Sequence, residues 1–126
     1  MKKEHYLLLG GAEPISWITV DRDSMLVQFR QALQCTCVES APCRYDVLLL
    51  VDACGLIRRR PFNLLASCLY PGSFYGSPIF GPAIVAYSGF VDGEPDWVPL
   101  PSCMLPTLEK ILRLPIPPCP EGGAEK

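Results

Sequence analysis

Few residues in this 126-residue chain have side chains that do chemistry: seven cysteines, a single histidine, three consecutive arginines and scattered acids. A cysteine nucleophile needs a base within hydrogen-bond reach and a third group to orient it. The one histidine, His5, falls in a stretch that reads as an N-terminal strand, and the chain has no local cysteine-protease signature. Cys35, Cys37 and Cys43 put three thiols close together. A structural zinc site wants four ligands and closely spaced pairs, and the second pair is absent. An odd cysteine count without a secretory leader also argues against a disulfide framework. The thiols are therefore read as reduced and structural, with Cys54, Cys68 and Cys103 acting as small apolar residues. No metal and no cofactor is expected.

The densest charge is Arg58-Arg59-Arg60. On a strand, Arg58 and Arg60 would project together and Arg59 opposite. The preferred reading is that they are exposed strand residues that discourage edge-to-edge pairing. The sharper one is a guanidinium clamp for phosphate, a nucleotide or an acidic protein surface. Beside them lie Asn63 and an aromatic loop with Tyr70, Phe74 and Tyr75. Arg58, Arg59, Arg60, Asn63, Tyr70, Phe74 and Tyr75 form the candidate ligand- or partner-binding set, because exposed aromatics beside arginine suit an interface. Glu39, Asp46 and Asp52 have no spacing that would pair carboxylates for catalysis and read as strand-end or turn acids. No G-x-G-x-x-G, P-loop or G-x-S-x-G motif is present, and no catalytic residue is assigned.

The elements that position these residues follow from periodicity. Residues 5–9 and 15–20 read as a hairpin turned by Gly10-Gly11-Ala12-Glu13-Pro14. Met25, Phe29, Ala32 and Leu33 make one apolar stripe, so a helix is predicted over 24–34, capped by Asp23 or Ser24. Residues 35–39 are expected as a short strand. The apolar run 47–51 is expected as the central strand, pairing back through Asp52-Ala53-Cys54-Gly55 with residues 56–60. Asn63 should cap a helical turn, and 70–78 should be a loop. A strand at 79–87 is expected at an edge or with a bulge, because Gly81-Pro82 interrupts its start. Asp92-Gly93 signals a turn into a short strand at Trp97-Val98, and Thr107 should cap a helix ended by Pro115.

The totals set the outer bounds. Apolar residues make up 49% of the chain and charged residues 19%, which describes a folded domain rather than a disordered chain. The net charge of −2 makes a nucleic-acid partner unlikely on charge grounds. No run approaches the roughly 18 apolar residues of a membrane span. The expected setting is soluble and cytoplasmic, with the chain a monomer or dimer. The fold class is α+β: a single domain over 1–114, with an antiparallel or mixed sheet of about five strands and one main helix packed on it. Residues 115–126, rich in proline and glycine, are expected to be a mobile tail.

One pattern through the middle of the chain resembles a known family. Leu26 through Gln34, Val47 through Leu56, Pro61-Phe62-Asn63 and Ile79-Phe80-Gly81-Pro82-Ala83-Ile84-Val85 carry it. It is similar to a small family of single-domain proteins encoded by phages, plasmids and conjugative elements, chiefly of Gram-positive gut bacteria. That family's turn commonly reads Asn-Glu-Glu-Gly, where this chain has Asp52-Ala53-Cys54-Gly55. The resemblance implies an accessory protein that acts by binding a host or phage protein, with no catalytic residues to carry over. The alternatives are a binder of small anionic ligands such as nucleotides, and a cysteine-dependent enzyme using His5.

Overall fold

The computed structural model describes residues 3–55 and 58–120. Six strands form one antiparallel sheet: β1 (Lys3–Leu9), β2 (Ile15–Asp21), β3 (Val38–Pro42), β4 (Val47–Asp52), β5 (Ala83–Val91) and β6 (Glu94–Val98). Helices α1 (Met25–Leu33), α2 (Leu64–Leu69) and α3 (Leu105–Leu112) cover it. The strand order is β2-β1-β5-β4-β3, with β6 also on β5. Tyr87 pairs with Val47 of β4 and with Val98 of β6, so those two strands flank β5 on opposite sides. β6 therefore takes up the side of β5 that β1 leaves after Leu7 pairs with Val85. Arg22 ties this fork. It donates from Nε and Nη2 to the Glu4 carboxylate (3.0 and 2.9 Å), from Nη1 to Asp96 (3.0 Å), and from Nη2 to the Trp97 carbonyl.

Strand alternation divides the core in two. Leu7, Leu9, Leu49, Val51, Ala83 and Val85 face one side, where Ala66 of α2 and Leu108 and Leu112 of α3 close over them. Tyr6, Val20, Leu50, Ile84 and Ala86 face the other, under Phe29 and Leu33 of α1. Tyr6 and Phe29 meet edge to face at 4.9 Å, a favoured aromatic geometry. β4 and the first part of β5, Ala83 to Ala86, are thus covered on both faces, which is why these stretches are continuously apolar rather than alternating.

The fold is α+β as expected, a single domain whose antiparallel sheet has six strands and is accompanied by three short helices. β4 does not pair back with 56–60: its partners are β3 and β5. Leu56 and Ile57 lie outside the described residues, while Arg58 and Arg59 form a turn in which Arg59 has φ 58°. The third strand begins at Val38 and runs through Pro42, so Cys35 and Cys37 precede it and share no strand face. An apolar run fixes that a strand forms but not which neighbour it takes, and here the longer partner β5 wins.

β5 is central, not at an edge. Gly81 (φ 87°) and Pro82 sit just before its first ladder pair, so the missing proline N–H removes no sheet bond. Ser24 is the N-cap residue of α1, but its side chain makes no cap bond: a 3-10 turn over Arg22–Ser24 leads into the helix, and the Ser24 hydroxyl accepts from Gln28 Nε2 instead. Thr107 lies inside α3, whose first turn is opened by Pro106. The 70–78 segment contains a 3-10 helix over Pro71–Tyr75. Residues 115–117, expected within a mobile tail, are held: the Ile116 amide donates to Glu109 (2.7 Å) and the Trp17 indole to the Pro117 carbonyl (2.7 Å).

Asn63 caps α2 as its sequence position implies, accepting from the Ala66 amide at 3.0 Å. It does more than cap. Its side-chain amide donates to the Leu9 carbonyl (3.0 Å) and the Gly81 carbonyl (2.8 Å), joining α2 to the end of β1 and the approach to β5. The residue is buried. Asn63→Ala should lower the unfolding free energy by about 2–4 kcal/mol, from the lost cap and two buried carbonyls left without donors. Asn63→Asp, which keeps the cap but reverses the donors, should not restore it. Urea unfolding monitored by tryptophan fluorescence checks both; a loss below about 1 kcal/mol would mean that water replaces the amide.

Candidate functional site

The arginine turn comes to lie at the C-terminal end of α1. Asp52, the last residue of β4, faces this side with its side chain 2% exposed. Its Oδ2 accepts from Arg58 Nη1 (2.7 Å) and Arg60 Nη1 (2.9 Å), and its Oδ1 from the Cys54 amide (2.9 Å). Arg60 Nη1 also donates to the Leu33 carbonyl (2.7 Å), and Arg58 Nη1 to that of Gln34 (3.1 Å). The arginines therefore satisfy helix carbonyls that have no partner within the helix, and sit at the negative end of its dipole. Gly81 leaves room for this: a Cβ there would come within 3.0 Å of the Arg60 stem.

Burial alone would push the Asp52 carboxyl up; the Cys54 amide and the Arg60 and Arg58 guanidiniums outweigh it and hold the carboxyl below its ordinary value. An open cavity of about 630 Å³ lies alongside, lined in part by Arg30, Gln34, Asp52 and Arg58. Arg58 and Arg60 bind Asp52 and the helix end through Nη1 alone, and of the two Arg58 is the more exposed, at 48% against 12%. Arg59 alone of the three makes no such bond among the described residues and is exposed.

A different cavity lies on the opposite face. It is a cleft of about 470 Å³ between α2, the 3-10 segment, α3 and the turn joining β3 to β4, within the ~300–1,000 Å³ range of small-molecule and peptide-side-chain sites. Val47 and Leu108 are buried beneath it, and Leu69, Leu100 and Met104 line its walls. Two aromatic side chains stand at its rim, Tyr45 at 75% exposure and Phe74 at 78%, with Ile111 half exposed beside them.

Both rim aromatics are held by local bonds. Tyr45 and Asp46 have φ of 60° and 64° in a turn closed by Cys43 N–H to the Val47 carbonyl (2.8 Å) and Val47 N–H to the Arg44 carbonyl (3.2 Å). Successive positive φ suits Asn-Gly far better than Tyr-Asp. The Asp46 carbonyl is anchored by the Ser88 amide at 2.8 Å. Phe74 rides on the 3-10 segment, which the Ser73 hydroxyl fastens to α2 by donating to the carbonyls of Ser67 (2.6 Å) and Tyr70 (2.8 Å).

Of the candidate residues, Phe74 thus joins the cleft, whereas Arg58 lines the cavity on the α1 side of the sheet. Asn63 is committed to the framework, Tyr70 packs half-buried against the core, and Tyr75 projects outward without lining the cleft. Arg44 and Tyr45 were not singled out by the sequence, where the one local signal was a tyrosine in a short connection between two strands; Ile111, expected with Leu108 and Leu112 on the inner face of the last helix, is instead half exposed. Cys35 packs on the α1 side and Cys43 in the opposite core, so the sheet separates two of the three clustered thiols. Burial pushes the Cys43 thiol up to about 11, which suppresses the nucleophilic thiolate. His5 Nδ1 is 2.9 Å from the Thr19 hydroxyl across the β1–β2 pair. Among the described residues no three His, Cys, Asp or Glu side chains gather to hold a metal, and no helix is long and apolar enough to cross a membrane.

Comparison of the chain with protein-family models, with curated proteins and with solved structures finds no match.

Asp52 gives the domain a defined acid response. Its folded-state value lies below the unfolded one, so its contribution is complete above the unfolded value near pH ~4 and is lost as pH falls through the folded value. Stability should therefore fall as the medium is acidified below about pH 4. Asp52→Asn should be less stable at neutral pH and should show a flatter acid limb in urea unfolding measured across that range. An unchanged acid limb in the variant would mean that the carboxylate does not carry it.

Proposed function

We propose that this protein is a non-enzymatic binding module that receives part of a partner protein in the cleft between α2, α3 and the β3–β4 turn. The observation that carries this reading is the cleft itself: an apolar hollow whose two rim aromatics are held outward by well-bonded turns. Exposed large aromatics over an apolar depression are what interface anchors look like before a partner arrives. Holding Tyr45 on a left-handed turn costs conformational energy that the rest of the domain sustains, and such outliers concentrate at functional positions. The accessory role in a phage or other mobile element, with a host or phage protein as partner, rests on the resemblance carried by residues 26–34, 47–56, 61–63 and 79–85. The arginine turn supports an anion-binding reading less well, because Arg58 and Arg60 already bind Asp52 and the end of α1.

The test is affinity capture from a bacterial host extract with three forms of the protein. Wild type and Tyr75→Ala should recover the same partner, since Tyr75 lies outside the cleft. The double variant Phe74→Ala/Ile111→Glu should lose it by at least about tenfold, while keeping the thermal midpoint of the wild type because Phe74 is largely solvent-facing and Ile111 half exposed. Equal capture by all three forms would move the contact elsewhere. Recovery of no specific partner by the wild type would overturn the binding reading.

A further inference from the structure

The cleft also indicates what its occupant carries. Arg44 is the one charged residue among those lining it, and Thr107 the one aliphatic hydroxyl. The Arg44 side chain has no ion-pair or hydrogen-bond partner among the described residues, and it is exposed. It differs in this from Arg22, Arg58 and Arg60, each of which is bound to a carboxylate. Among the described residues Asp46, two positions on, forms no ion pair with it, and Glu109 on the adjoining helix accepts from the Ile116 amide. An apolar hollow with one guanidinium at its mouth that has no partner among the described residues is complementary to an apolar group flanked by a carboxylate. Arginine favours that pairing because its planar fork meets both carboxylate oxygens. Arg44 and Tyr45 are also adjacent at the rim, and these residue types are enriched among the residues that dominate interface energies.

We propose that the occupant is a short segment of a partner protein in which bulky apolar side chains adjoin an aspartate or glutamate. The apolar side chains fill the space over Val47 and Leu108, and the carboxylate is received by Arg44. This rests on the binding function proposed above and adds its specificity. The openness of the rim favours a peptide over a small molecule, since the exposed faces of Tyr45 and Phe74 extend the contact beyond the hollow.

A random-peptide library displayed on phage, panned against the intact protein, supplies the probe. Enriched peptides should combine aromatic or aliphatic residues with an acidic one. The strongest binder would then be synthesised with its acid as Glu, Gln or Lys and titrated by fluorescence anisotropy. Wild type should prefer the Glu peptide over the Gln peptide by about tenfold, the loss expected when a charged hydrogen bond is removed. Arg44→Ala should erase that preference and Arg44→Glu should turn it toward the Lys peptide. The Glu peptide should also slow alkylation of Cys68, which lines the cleft, and leave Cys103, which does not, unchanged. Peptides that protect Cys68 but ignore the charge at Arg44 would overturn this inference and leave the binding function standing. Peptides that neither protect Cys68 nor respond to Ile111→Glu would overturn both. A wild-type dimer that Ile111→Glu dissociates would assign the cleft to a second copy of the chain, and so would also overturn the inference.

Discussion

The buried carboxylate of Asp52 is the constraint on which one half of the molecule depends. It ends β4 under the C-terminus of α1, where the dipole and the free carbonyls of the helix already concentrate negative charge. A lone carboxylate there would be repelled and poorly solvated. Arg58 and Arg60 resolve this by bonding to the carboxylate and to the helix carbonyls with the same nitrogens. Breaking a buried ion pair by removing one partner is costly, even where the intact pair adds little over an apolar substitute. The arrangement therefore specifies position: it joins a strand end, a helix end and a turn that are distant in sequence, and sets where α1 lies on the sheet.

The other face is fastened differently. α2 is pinned at its start by Asn63 and bridged onward by Ser67 and Ser73, all through neutral hydrogen bonds to backbone. α3 is held by Leu108 and Leu112 and by the strap at 115–117. Neither helix is joined to the end of β4 through charged side chains, as α1 is through Arg58 and Arg60. Where they fall short of the β3–β4 turn, the hollow over Val47 and Leu108 remains. The firmly pinned face presents the arginines and the less fully covered one presents the aromatics.

The sequence made the elements legible wherever a local rule governed them. The first hairpin, α1, the Asn63 cap and the Asp92-Gly93 turn all follow from alternation, the 3.6-residue period or turn chemistry within a few residues. It was uninformative where the deciding partner is remote. The run at 47–51 announces a buried strand, yet nothing in Val-Leu-Leu-Leu-Val says that β5 rather than the following residues will pair with it. Arg58 and Arg60 read as a surface clamp because their carboxylate and helix carbonyls lie 6 to 27 residues away. Gly81-Pro82 suggested an edge because the rule about proline concerns ladder donors, and here the ladder starts one residue later. The cleft was illegible for the same reason: its lining comes from 43–47, 68–74 and 100–111, three segments with no common motif.

The position of β5 has a consequence for how the chain is made. β1, β4 and β6 all pair with it, yet it comes after the first eighty residues. During synthesis β1–β2 and β3–β4 can each close as hairpins, but the edges of β1 and β4 that β5 will fill stay open until Ala83–Val91 leaves the ribosome. Such open apolar edges invite pairing with other chains, and pairings between distant segments form slowly. The emergence of Ala83–Val91 from the ribosome is thus the point at which the nascent chain changes from two sticky hairpins into one sheet, and ribosomes crowded on one message would favour the wrong partners.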